Sequence, residues 1–127
     1  MEHGKQFYIN GQWVEPSTSE TLDVINPATE ESIGQIAMGG PADVDAAVAA
    51  AKAAFETYSQ TTKEERIALL EKIIAVYAAK MPEIGQTISQ EMGAPLGLAN
   101  AAQAPYGIGH LMTTLEVLKN YEFEEDI

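Results

Sequence analysis

The chain contains no cysteine, two histidines, one tryptophan and only seven basic residues against nineteen acidic ones. The missing cysteines exclude disulfides, thiolate metal sites and thiol nucleophiles. The shortage of lysine and arginine leaves a net charge of −12, a field that repels phosphate backbones, so nucleic acid is not an expected partner. No apolar run approaches membrane-spanning length, and no basic start leads into an apolar stretch, so no membrane partner is expected and the reading is cytoplasmic. Two histidines are too few for the usual imidazole constellations. His3 sits in a terminus expected to be loose, and His110 falls on a helix surface with no second histidine spaced to join it as a metal ligand.

What is present is a single globular chain of 127 residues, 46% hydrophobic, with alanine crowded between Ala42 and Ala54. Alanine favours helix but buries little area, so the core is expected to be thinner than that percentage suggests. The acids are read as a solvated surface together with acidic helix starts at Asp43, Asp45, Glu64, Glu65 and Glu83. The chain is expected to be one partial domain: a strand region over 7–38, a helical region over 41–120, and an acidic end over 121–127 holding Glu122, Glu124, Glu125 and Asp126.

The strand region contains two turn-linked pairs. Asn10-Gly11 between Phe7-Tyr8-Ile9 and Trp13-Val14 tolerates positive φ at both central positions and predicts a two-residue hairpin. A strand from about Thr21 to Ile25 then meets the Asn26-Pro27 turn, and its partner runs from about Ser32 to Met38. Pro41 opens the first helix, with Val44, Ala47, Val48, Ala51, Phe55 and Tyr58 as its apolar stripe. A capping box, Thr61 with Glu64 or Thr62 with Glu65, announces the second. Ile67, Leu70, Ile74, Tyr77 and Met81 form its buried face, and Leu69, Ile73 and Val76 widen it, which implies covering from more than one side. Pro82 is expected to start a third helix closed by Gly93. A fourth spans Leu96 to Lys119, kinked or broken at Pro105.

Few residues carry chemistry. The run from Tyr106 to Met112 begins like a dinucleotide fingerprint but has Met112 where a third glycine belongs, and it lies within a helix, so Gly107 and Gly109 are read as close-packing positions. Glu91 sits at a helix C-terminus, facing the negative end of the dipole, where a cation would relieve it and where plain solvation would also serve.

In order, the segments Phe7–Val14, Val24–Gly34, Asp43–Val48, Glu65–Leu70 and Glu91–Pro95 resemble the opening of NAD(P)-dependent aldehyde dehydrogenases, from Phe7 to Ile127. The resemblance implies an α/β parent fold. This segment is expected to be α+β: two short antiparallel strand pairs and about four helices, the leading part of that family's nucleotide-binding domain. In the family, a cysteine attacks the aldehyde, hydride passes to NAD or NADP, and a glutamate activates the water that releases the acid. No residue of this chain matches those catalytic or cofactor-binding positions, so the chain alone is expected to be inactive.

The resemblance carries two further sets of residues. Val24, Ile25 and Glu91 match positions that hold a monovalent cation, Na+ or K+, through carbonyl and carboxylate oxygens. Glu91 stands where the family usually has aspartate. Ala102, Gln103 and Tyr106 match the helix lining the substrate entrance. Expected partners are a second copy of the chain or the remainder of a subunit. The competing reading is a free-standing, non-catalytic helical scaffold, which would place polar residues at some of Leu69, Ile73 and Val76.

Overall fold

The computed structural model describes residues 2–124, so Glu125 and Asp126 of the acidic end lie outside the described residues. The chain separates into two compact units, residues 1–60 and 61–127.

In the first unit, β1 (Phe7–Ile9) and β2 (Gln12–Val14) pair antiparallel with Tyr8 opposite Trp13. Asn10 and Gly11 have φ of 52° and 75°, the left-handed pair that matches the twist of a two-residue hairpin. β3 (Thr21–Asn26) and β4 (Glu31–Ala37) form a second antiparallel pair. Their turn is closed by the Asn26 side chain, whose Oδ1 accepts from the Ala28 N–H at 2.9 Å, and by the Glu30 N–H donating to the Asn26 carbonyl at 2.8 Å. His3 is not loose: its ring stacks on Trp13 with centroids 4.0 Å apart, and its Nδ1 is 2.9 Å from Gln6 Oε1. A flat aromatic face and a polar neighbour hold the terminus down.

Helix α1 (Pro41–Tyr58) starts where Gly40 and Pro41 allow it, its first turn closed by Asp43. Its stripe of Val44, Val48, Phe55 and Tyr58 is exposed, Phe55 to 67%.

In the second unit, α2 runs unbroken from Lys63 to Met92. Its cap is the Thr62–Glu65 box: Thr62 Oγ1 accepts from the Glu65 N–H at 3.1 Å, and Glu65 Oε2 accepts from the Thr62 N–H at 2.8 Å. The expected helix start at Pro82 does not occur. Pro82 is an exposed interior position of α2, and the lost N–H leaves only a carbonyl one turn earlier without its helical donor. Glu83 is therefore not an acid at a helix start; it pairs with Lys80 at 3.3 Å. Gly93, with φ of 71°, ends α2 in the left-handed conformation.

A short turn, α3 (Leu96–Leu98), leads into a π-helical segment at Ala99–Gln103 and then into α4 (Ala104–Asn120). The expected break at Pro105 does not occur, since α4 runs on through it. The wider π turn precedes it, with the Ala104 N–H bonded back to the Ala99 carbonyl. α4 lies along α2, where Ile108, Leu111, Leu115 and Leu118 face inward with Ile67, Leu70, Ile74, Tyr77 and Met81. Small residues set the closest approach. A Cβ at Gly85 would collide with the Asn100 side chain, and one at Gly107 with the Tyr77 ring and hydroxyl. At Gly109 a Cβ would meet nothing within 4 Å, so only Gly107 of that pair packs closely. Among the described residues the buried hydrophobic side chains are all alanines: Ala37, Ala99 and Ala104. The core is as thin as the alanine content foretells.

Candidate functional site

Three places bear on function. Val24 and Ile25 lie on β3, where the ladder is irregular: Val24 is opposite Gly34 and Ile25 opposite Ser32, which leaves Ile33 as the extra residue of a bulge. The Ser32 hydroxyl donates to the Gly34 carbonyl at 3.2 Å across it. A bulge interrupts regular pairing and re-aims backbone groups, so the irregularity falls at the two residues whose carbonyls are the candidate cation ligands.

Glu91 occupies the last turn of α2. It is exposed and has no hydrogen bond or ion pair among the described residues, and no basic residue sits in that turn to offset the helix dipole. The chain after it is fixed by Gly93 N–H donating to the Ser89 carbonyl at 3.1 Å and by Ser89 Oγ donating to the Ala94 carbonyl at 2.8 Å. Val24 and Ile25 belong to the first unit, Glu91 to the second. Among the described residues no group of three or more His, Cys, Asp or Glu side chains could hold a metal ion.

Ala102, Gln103 and Tyr106 are brought together where the π segment passes into α4. Ala102 is half-buried, and Tyr106 is exposed to 67%. Beneath them the Tyr77 hydroxyl donates to the Ala104 carbonyl at 2.9 Å. Gln103 Oε1 is buried with no hydrogen-bond partner among the described residues. A buried acceptor without a donor is a net cost. Sequence reasoning reached Gln103 but missed both its orphaned oxygen and the π turn; the only signal was Pro105 two residues on. His110 lies exposed on α4.

A carboxylate with a shifted pKa lies away from these places, at Asp43. There the carboxylate is held below its ordinary value of 3.8, first by the Ser17 hydroxyl at 2.6 Å and then by the Gly40 N–H at 2.8 Å. The Ser17 N–H adds a third bond at 2.9 Å. This knot ties the loop after β2 to the start of α1 and serves the fold.

A family model described as the aldehyde dehydrogenase family matches residues 13–126. The chain is 45% identical over its whole length to a 3-succinoylsemialdehyde-pyridine dehydrogenase of Pseudomonas sp., of which it covers 27%. Over 93% of its length it is 48% identical to a putative aldehyde dehydrogenase of Staphylococcus aureus (strain USA300), covering 25% of that protein. Among solved structures, an aldehyde dehydrogenase from Bartonella henselae superposes on 97% of the chain with a TM-score of 0.95 at 41% identity, and 26% of that chain is covered. A mutant aldehyde dehydrogenase C of Pseudomonas syringae, solved with NAD+ and octanal, superposes on 99% with a TM-score of 0.96 at 38% identity, again with 26% covered. The chain thus spans about a quarter of the length of the relatives it matches, at their N-terminal part.

Proposed function

Because the chain belongs to the aldehyde dehydrogenase family, we propose that it is the leading part of the nucleotide-binding domain of a subunit that oxidises an aldehyde to a carboxylic acid with NAD or NADP. One observation carries this reading: nearly the whole chain matches the family, yet it covers only about a quarter of each relative and contains no cysteine. The nucleophile of such an enzyme therefore has to come from polypeptide other than these residues, and the chain by itself turns over no aldehyde. The relatives' names, one a pyridine semialdehyde dehydrogenase and one seen with octanal, support an aldehyde substrate class without choosing among aldehydes.

Within that reading Val24 and Ile25 supply carbonyls, and Glu91 a carboxylate, to a structural Na+ or K+. The bulge at the first pair and the unpaired acid at the second favour this assignment. Ala102, Gln103 and Tyr106 border the route by which aldehyde enters, and Gln103 Oε1 takes a donor from the rest of the subunit or from the substrate. The place of work is the cytoplasm. The partner is the remainder of a subunit or, in its absence, a second copy. The scaffold reading loses ground because Leu69, Ile73 and Val76 are apolar and exposed, where it calls for polar side chains.

The test is direct. Purified 127-residue protein mixed with a panel of aldehydes and NAD or NADP is expected to give no NADH or NADPH absorbance. Turnover by this chain would remove the proposal.

A further inference from the structure

We propose that Asn10 is a site of spontaneous deamidation, and that its isoaspartyl product unlatches the β1–β2 hairpin. The reaction needs an exposed asparagine side chain, a following backbone N–H that is free and uncrowded, and enough local freedom to bring the two together. Asn10 and Gly11 are both exposed. Among the described residues neither the Asn10 side chain nor the Gly11 N–H has a hydrogen-bond partner. Gly11 has no Cβ, and the place one would occupy is open for at least 4 Å.

The hairpin around them has three residues in each strand and forms its own two-stranded sheet. So short a ladder is only marginally stable by itself, and its opening supplies the backbone freedom that a left-handed φ at both residues otherwise restricts.

The other three asparagines each lack a requirement. Asn26 is followed by Pro27, which has no N–H to attack with, and its Oδ1 is already bonded to the Ala28 N–H. Asn100 lies in the π segment against Gly85, with Ala101 after it. The Asn120 side-chain amide donates to the Glu116 carbonyl at 2.9 Å and to Glu116 Oε1 at 2.8 Å, and Tyr121 follows.

In the first step the Gly11 nitrogen attacks Asn10 Cγ. The new C–N bond closes a five-membered succinimide, the Cγ–Nδ2 bond breaks, and ammonia leaves with the proton from the Gly11 N–H. Water then opens the ring at either carbonyl. Opening at one side gives aspartate with the main chain unchanged; opening at the other gives isoaspartate, with the main chain routed through Cβ. The balance is asparagine plus water giving the acid plus ammonia, with no oxidant or reductant. The isoaspartyl form adds a carbon to the turn, so the Ile9–Gln12 pair that closes the hairpin no longer fits, and Tyr8 and Trp13, with ring centroids 5.1 Å apart, separate.

The full chain aged in neutral buffer and cut with a glutamate-specific protease separates the sites, since residues 3–15 carry Asn10 and residues 21–30 carry Asn26. The 3–15 fragment is expected to gain about 1 Da and split into two isomeric peaks, while the asparagines at 26, 100 and 120 stay unchanged. Conversion of 3–15 in denaturant but not in native buffer, or equal conversion at Asn100 or Asn120, overturns the assignment. Trp13 is the only tryptophan, so its emission reports on the hairpin and on the His3 ring stacked against it. Asn10→Asp carries the charge without the extra carbon and is expected to keep the wild-type emission, whereas the aged isoaspartyl fraction shifts. Unchanged emission in that fraction overturns the claim that the hairpin opens.

Discussion

Asp43 shows how much a single side chain fastens in the first unit. Its carboxylate accepts from the Ser17 N–H, the Ser17 hydroxyl and the Gly40 N–H, closing α1 and pinning the 16–19 loop with the same two oxygens. Those bonds favour the charged form and lower its pKa, so the group binds a proton more weakly folded than unfolded. The stabilisation is therefore complete above the ordinary aspartate pKa and drains away as pH falls through the folded one. Thermal melts followed from neutral into acid are expected to lose stability there, and Asp43→Asn is expected to melt lower at neutral pH with a flatter acid limb. An unchanged acid limb in the variant would assign the loss to other carboxylates. The glycines of α4 give a second residue-scale test with opposite signs. Gly107→Ala drives a methyl into Tyr77 and is expected to cost about 1–3 kcal/mol by urea unfolding, as overpacking does. Gly109→Ala meets nothing and is expected to gain up to about 1 kcal/mol from helix propensity. Equal effects would mean that Tyr77 does not hold α4 in place.

Among the elements, those whose signals are local were legible in the sequence. Asn10-Gly11 dictates its turn by φ alone, and Thr62 with Glu65 marks a helix start through two reciprocal bonds. Pro82 misled because a proline at a helix start and one inside a helix read alike. What decides is whether the apolar face continues beyond it, and Ile84 and Ile88 do continue the face of Met81. The π turn was illegible for a deeper reason: bonding five residues back instead of four has no residue signature of its own, and Pro105 says only that something gives way. Pro82 is exposed and removes a helical bond. Pro82→Ala is expected to raise the urea midpoint, with a gain approaching the propensity gap of about 3 kcal/mol. A fall in stability would show that the proline serves α2 through the unfolded chain instead. Of the candidate site, Val24, Ile25, Ala102, Gln103 and Tyr106 were reached by resemblance, and Glu91 also by its place at a helix C-terminus. Carbonyl oxygens and small side chains carry no chemical signal of their own in a sequence, so periodicity alone passes over them.

At the scale of the whole molecule the decisive quantity is surface. The chain exposes 9441 Å², where a folded monomer of its 13.7 kDa mass would expose about 6,600 Å². Even two separately folded proteins of half that mass would expose only about 7,900 Å² together, so the excess does not depend on how the two units are placed. The apolar side chains that account for it are ordered in stripes: Val44, Val48 and Phe55 along α1, and Leu69, Ile73 and Val76 along α2, Val76 being 59% exposed. Around Ile73 and Val76 the surface dips into an apolar hollow of about 310 Å³. Stripes of this kind mark surfaces that are covered in a finished structure. A chain whose described residues include no fully buried side chain larger than alanine, and which leaves such stripes open, has little to oppose its conformational entropy. The lone chain is therefore expected to melt over a broad range, to bind a hydrophobic dye, and to associate with itself at raised concentration, more readily in salt that screens its charge of −12. Native mass spectrometry across concentration and salt, beside calorimetry, checks this. A monomer at every concentration with a steep melt would mean that the stripes need no cover. Leu69→Lys with Val76→Lys separates the alternatives further. It is expected to suppress self-association while leaving the α2–α4 packing and the helical signal intact, because both residues are exposed.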